Sequence, residues 1–505
     1  MKRIKKTKKI DDWSEVIETS CLRFCRPRFR RPGSFHGGCF IAGALFVLFV
    51  VLCFGRSPLS AQTKARTGKE TISVSATQTY VRRKPSGNGP RAGVVKRGAG
   101  FAVKRRVRGP GCGGDWIELL VGGYLCSTET ESTSLEPGGP KYPVIKKGKI
   151  LPFSYMMIGR DGGTEYFDMS DAQADLPLTF LSPGFGRTYR SVVREYGLSF
   201  YETTRGTLVP TEDAFRVSGS KFRGVMLRGG SDAGRRSGRD DVAGGRRAGR
   251  RSGRGDSGDR GRSLPLVFTY RRRTPVYSSP GRRVKKRIKR FLVFRVVRAV
   301  QDRRRIFYYK IEPNGFVRAR DVRLAAWVAP PYEVNDGEKW VDLDISQQTL
   351  VAYEGSRPVY ATLMSSGRGN RTPTGVFRVW AKLAATDMSN DPEAERPYSM
   401  WNVPWTLYYK AGYAIHGTYW HSGFGTKRSH GCINLSPRDA KWVFDWSSPT
   451  LYPGWWARLP ARSEESLIIR IRESTLAARI KSISPGSSSK ATKCLTPPFS
   501  VSLPK

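Results

Sequence analysis

Residues 413–434 read Tyr-Ala-Ile-His-Gly-Thr-Tyr-Trp-His-Ser-Gly-Phe-Gly-Thr-Lys-Arg-Ser-His-Gly-Cys-Ile-Asn, and three of the chain's four histidines lie here around Cys432. A thiol attacks as its thiolate. A free cysteine has a pKa of about 8.5, so a neighbouring imidazole that lowers it is a common requirement. Tyr413-Ala414-Ile415 is an apolar strand, and His416 hangs from its end. A Gly- and Ser-rich loop, residues 422–429, then returns the chain to Cys432, two residues past His430 and sixteen past His416. The pattern supplies a strand-borne base, a returning loop and a nucleophile on a tight turn. Gly431 lets backbone approach a reacting carbonyl closely. The amides around Gly431 and Cys432 are candidate oxyanion donors. Just beyond, Ser436 suits an N-cap, Pro437 the first helical position and Asp439 the capping box, so a helix starts past the nucleophile and helps fix it.

Three histidines and a cysteine also raise the question of zinc. One residue between His430 and Cys432 is a poor metal spacing, so neither a metal nor a cofactor is expected. His421 reads as a loop or rim residue without a catalytic role, and His36 as inert.

Upstream, Trp340-Val341-Asp342-Leu343-Asp344-Ile345 alternates as a half-buried strand should. Ser346-Gln347-Gln348 is a turn, Thr349–Tyr353 returns, and Val359–Met364 is a further strand, giving a β-meander. Tyr398 to Trp405 precedes the histidine strand and is rich in aromatics. Tyr398, Met400, Trp401 and Trp405 are candidate substrate contacts, forming a flap that excludes water, or else ordinary core residues.

The segment resembles the YkuD-type L,D-transpeptidase family. The signature is a His, a loop, then Ser/Thr-His-Gly-Cys, an apolar residue and Arg/Asn; here it is His416, Gly417, then Ser429, His430, Gly431, Cys432, Ile433 and Asn434. A second family element is Ser366-Gly367 followed by Thr372-Pro373-Thr374-Gly375-Val376-Phe377. The resemblance runs from about Lys339 to Arg472, roughly a quarter of the chain. It implies a mainly β catalytic domain, Cys432 as nucleophile and His416 as its base. His430 would be a further catalytic residue that shapes the site with Gly417 and Asn434, and Ser429 would order the turn. The implied substrates are peptidoglycan stem peptides: a thioester forms at the L-centre of diaminopimelate, D-Ala leaves, and an amine resolves the acyl-enzyme. A carboxypeptidase or related cysteine hydrolase of the same fold, with water in place of the amine, is the alternative. A basic scaffold or nucleic-acid binder carrying an inactive domain is the reading from another class, and the intact His/Cys pair argues against it.

The rest of the chain is uneven. Its formal charge is +46, from 88 basic and 42 acidic residues, which favours anionic partners such as lipid headgroups, nucleic acid or acidic wall polymers. Residues 1–38 are a basic N-terminus. Residues 39–55 (CFIAGALFVLFVVLCFG) carry no charge and reach about 25 Å as a helix, slightly short of a hydrocarbon core. Arg23, Arg26, Arg28, Arg30 and Arg31 on the N-terminal side put that end in the cytoplasm and the remainder across the membrane, in the cell envelope. The segment reads as an uncleaved anchor rather than a signal peptide, because 56–61 offers a poor cleavage site. Residues 56–95 read as a linker, 96–227 as β-rich accessory modules, 228–263 as a disordered Arg/Gly-rich linker, 264–330 as a second β-rich module, 339–472 as the catalytic domain and 473–505 as a disordered tail. Both modules loosely resemble SH3-like wall-targeting domains. Cys112 and Cys126 flank Trp116 on neighbouring strands, positioned for a disulfide in an oxidising compartment, or else two buried thiols. No specific nucleic acid is expected as a partner.

Overall fold

A computed structural model describes residues 70–134, 145–227, 262–390 and 397–483. The basic N-terminus, the apolar run 39–55, nearly all of the Arg/Gly tract and the end of the tail lie outside the described residues. Among the described residues no helix is long and apolar enough to cross a membrane. The molecule is mainly β, with short helices at Met169–Gln173, Pro437–Trp446 and Leu476–Lys481.

The meander read from Trp340 onward is the centre of a six-stranded sheet. Its order is Val225–Met226, Arg357–Leu363, Thr349–Glu354, Lys339–Asp344, Ile468–Arg472 and Gly375–Arg378. The alternation at 340–345 is real, but both faces are covered. Val341, Leu343, Leu350 and Ala352 face one core with Ile415, Ile433 and Val443. Trp340, Val351 and Tyr353 face another, with Leu266, Phe268 and Ala325 of the second module packed on them. Asp342 sits in this covered sheet at 2% exposure, and Arg470 (2.7 Å) and Arg472 (2.8 Å) compensate its charge. The half-buried expectation therefore fails because a neighbouring module replaces solvent.

A second group of strands carries the candidate site residues. Ala381–Ser389, Ser399–Lys410 and Tyr413–Gly417 run antiparallel in succession, and Ile433–Leu435 joins Tyr413–Gly417 in parallel. The helix Pro437–Trp446 follows at once. Ser436 Oγ accepts the Asp439 N–H at 3.2 Å, and Ala440, Val443 and Phe444 pack into the same core as Ile415 and Ile433. Asp439 is itself fully buried, accepting from Gly224 N–H (2.7 Å), Tyr360 (2.7 Å) and Thr362 (2.6 Å), and burial raises its pKa.

Strand formation begins at Thr71, inside the stretch read as a linker to residue 95. Its polar composition hid an alternation: Ile72, Val74, Val81 and Val95 pack with Phe101, Ile117, Leu119 and Trp455. Arg91–Lys96 pairs with Trp455–Arg458, Gly186 with Met400, and Val225–Met226 with Tyr360–Ala361. The sheets that carry the candidate site are thus completed by strands from residues 91–226. Cys112 and Cys126 are disulfide-bonded with Cα atoms 5.5 Å apart. The second module forms a seven-stranded sheet between Leu266 and Ala325. The tail is ordered as far as Ile483, which is buried in that module's core, so the reading of disorder from 473 starts too early.

Candidate active site

Parallel pairing sets the site. Ile415 is opposite Ile433, His416 opposite Asn434 and Gly417 opposite Leu435. Continuing the register one residue back brings Cys432 opposite Ala414, whose backbone hydrogen bond acts on the thiol. Positions 414 and 416 share one face of the strand, so the cysteine arrives one pleat from the histidine.

The turn that delivers Cys432 is held from several directions. Ser429 Oγ donates to the Cys432 carbonyl at 2.6 Å and accepts the Gly431 N–H at 3.0 Å. Thr372 Oγ1 accepts the Gly367 N–H and donates to the Gly431 carbonyl, both at 2.7 Å. Ser365 and Asn434 exchange backbone hydrogen bonds, and Arg368 N–H donates to the Ser429 carbonyl at 3.0 Å. Gly431 has φ 150°, and a Cβ there would lie 2.5 Å from the Tyr413 ring. Only glycine suits that combination. One expectation changes: the Gly431 amide is engaged by Ser429 and does not point at a substrate.

Cys432 is a free, half-buried thiol whose Sγ lies 3.7 Å from the Gly412 carbonyl. Burial pushes the thiol up to about 11, against the Ala414 hydrogen bond. His416 is buried, and burial pushes it down to about 4. Its Nδ1 is 3.2 Å from the Gly417 carbonyl, which places the proton on Nδ1 and leaves Nε2 a free acceptor. Trp420 stacks on the ring at 5.7 Å. No hydrogen bond joins Cys432 to His416 among the described residues. Burial favours the neutral form of each group.

His421 is more than a rim residue. Its Nδ1 accepts the Gly423 N–H at 3.2 Å, and its Nε2 is 2.9 Å from the Asn434 amide. An accepting Nδ1 leaves the proton of the neutral ring on Nε2, which needs an acceptor. The buried Asn434 Oδ1 otherwise lacks a partner, and turning that amide over satisfies both. Burial, then Arg428, His416 and Arg368, pushes His421 down to about 3. His430 is exposed and stacks on Tyr398 at 4.9 Å. Gly417 lies against Pro404 and Trp405, where a Cβ would meet both at 3.1 Å.

The four aromatic-segment candidates separate. Tyr398 stays beside the thiol, and burial followed by Cys432 pushes its phenol up to about 12. Met400, Trp401 and Trp405 are 7%, 7% and 3% exposed. Met400 packs with Tyr155, Met157 and Tyr419. Trp401 carries Arg187 and Arg205 over its ring at 4.4 and 3.8 Å. Trp405 joins the core with Leu407 and Ile415. All three are packed as buried residues. Asn402 (φ 49°) and Trp405 (φ 55°) break the strand's alternation and send its side chains to different cores. Sequence reasoning missed the supporting roles of Thr372, Gly412 and His421. Thr372 alone had a signal, lying in the second motif. Among the described residues no group of three His, Cys, Asp or Glu is placed to hold a metal.

Residues 338–454 match the family model of YkuD, the L,D-transpeptidase catalytic domain. A putative L,D-transpeptidase, YciB, of Bacillus subtilis is 27% identical over 133 residues, covering 22% of this chain and 63% of that protein, a little under two thirds of its length. Among solved structures, a mutant L,D-transpeptidase of Enterococcus faecium aligns at 22% identity over 27% of this chain and 50% of its own, with a TM-score of 0.22. L,D-transpeptidase 3 of Mycobacterium tuberculosis aligns at 18% identity over 32% of this chain and 74% of its own, with a TM-score of 0.23.

Proposed function

We propose that the chain is a cysteine acyltransferase of the cell envelope, a peptidoglycan L,D-transpeptidase with Cys432 as nucleophile and His416 as general base. The observation that carries the reading is the parallel register of His416 with Asn434, which delivers Cys432 to the histidine's face of the sheet on a glycine turn. Burial favours the neutral form of both groups, so the proton moves as the bond forms. His416 Nε2 takes it from Cys432 Sγ while sulfur attacks the carbonyl of the L-centre of diaminopimelate. The C–N bond to D-Ala then breaks, and the leaving amine takes that proton from His416, leaving a thioester. An acceptor amine attacks the thioester, gives its proton to His416, and Cys432 departs and recovers it. The Gly417 carbonyl, accepting from Nδ1, stabilises the imidazolium that forms in each half. The Cys432 amide is assigned to the oxyanion. Tyr398 and His430 form one wall of the donor site, and His421 with Asn434 holds the returning loop. The apolar run 39–55 is assigned as the membrane anchor and the β-rich modules as wall contacts.

The test is mass spectrometry of muropeptides after incubating the full chain with tetrapeptide-bearing sacculi. Crosslinked dimers joined through diaminopimelate, or stems attached to protein amines, are expected. Tripeptides without any transfer product would replace the transferase by the hydrolase. Unchanged sacculi would overturn both.

A further inference from the structure

Resting on that reading, we propose that Arg368, Arg371 and Arg428 form a cationic rim that selects stem peptides bearing free carboxylates. All three are exposed, and their backbones are tied to the nucleophile turn. Arg368 N–H donates to the Ser429 carbonyl at 3.0 Å, and Arg428 N–H to the Ser366 carbonyl at 2.8 Å. The Arg371 carbonyl lies 3.2 Å from the point a Gly431 Cβ would occupy. All three side chains therefore spring from backbone that holds the turn. Arg428 and Arg368 both act electrostatically on His421, which touches Asn434 of the same site. Among the described residues, no carboxylate lies within ion-pair distance of any of the three. Lys427, the chain neighbour of Arg428, is by contrast already engaged by Asn370 at 3.0 Å and Glu473 at 3.9 Å.

Elsewhere in the chain buried acids are matched to arginines, as at Asp342. Arg368, Arg371 and Arg428 flank the nucleophile turn through their backbones and have no such acid among the described residues. The fork of a guanidinium pairs with a carboxylate in bidentate fashion, and like charges held together on a rim draw an anion to it. A tetrapeptide stem offers two such groups near the scissile bond: the D-centre carboxylate of diaminopimelate and the terminal carboxylate of D-Ala. Either engages the same guanidiniums, the first remaining with the acyl-enzyme and the second leaving with the product.

The experiment measures equilibrium binding of synthetic tetrapeptides to the full chain carrying Cys432→Ala. The peptides are the free diacid, the form amidated at the diaminopimelate D-centre, the form amidated at D-Ala, and the doubly amidated form. Binding of the diacid is expected to be about tenfold tighter than that of the doubly amidated peptide and to weaken as salt rises. The singly amidated peptides identify which carboxylate is read. Combined R368Q, R371Q and R428Q should remove the preference, while the three Arg→Lys changes should keep part of it and show that the turn still folds. Equal affinity for all four peptides, or an equal loss for diacid and doubly amidated peptides in the glutamine variant, overturns this proposal alone. No binding of any tetrapeptide overturns it together with the assigned function.

Discussion

Two segments meet near Cys432, and they are built in opposite ways. The turn Ser429–Gly431 is held by polar groups: Ser429 Oγ, Thr372 Oγ1 and the backbone of Ser365–Arg368. The strand Ser399–Lys410 is held by apolar burial, with Met400 and Trp401 covered by accessory strands and Trp405 by the catalytic core. Directional hydrogen bonds fix one atom's position, whereas burial fixes a module's position. The polar turn is therefore where chemistry should be sensitive, and the aromatic strand where stability should be.

The sharpest break between the two comes from Cys432→Ala. It should abolish the covalent adduct with a carbapenem or a stem donor, a loss beyond about a thousandfold, read by intact mass. Adduct retained on another residue would remove Cys432 from its role. His416→Gln should slow acylation by roughly a hundredfold to ten-thousandfold. Because burial rather than an ion pair sets the thiol near 11, alkylation by a small electrophile should keep its rise with pH in that variant. A profile displaced toward higher pH would show that the imidazole had been holding a thiolate. Thr372→Val removes both hydrogen bonds of its hydroxyl at the turn. It should lower acylation by about tenfold with a small change in melting temperature. Trp401→Ala should do the reverse, lowering stability by about 3–5 kcal/mol in denaturant unfolding while the folded fraction acylates at the wild-type rate.

Acid sensitivity gives the gentlest comparison. His416 is held neutral with its folded pKa near 4, below the ordinary histidine value of 6.5. The unfolded chain binds more protons between those values. The stability this group contributes is present above pH 6.5 and is lost as pH falls toward 4. Denaturant unfolding from pH 7 to 4 should show that decline, and His416→Gln should make it shallower. An equal decline in both would assign it to other groups, His421 among them.

The site was legible where chemistry demands particular residue types at fixed spacing. His416, Gly431, Cys432 and the Ser436 cap stand in structural places close to those read from the chain. What failed to show was burial by remote sequence. Trp340–Ile345 alternates as though one face were wet, and only the packing of Leu266 and Phe268 onto Trp340 reveals otherwise. Met400 and Trp401 resemble a flap in isolation because nothing local announces that Tyr155 and Arg187 will cover them. The upward push of burial on the thiol was hidden for the same reason, since desolvation depends on the whole surrounding fold. The contact of His421 did not show because its partner Asn434 lies beyond the loop, across the returning turn.

The pairing of Arg91–Lys96 with Trp455–Arg458 has a consequence for how the chain is made. Arg83 bonds the Leu459 carbonyl across 376 residues. During synthesis the strand Arg91–Lys96 therefore waits, with an unsatisfied edge, for one that follows the His416–Cys432 region. Closing so large a loop is slow, and an open edge recruits strands from other copies. Ribosomes stalled before residue 455 should leave nascent chains that cluster through that edge, even with the His416–Cys432 region already complete.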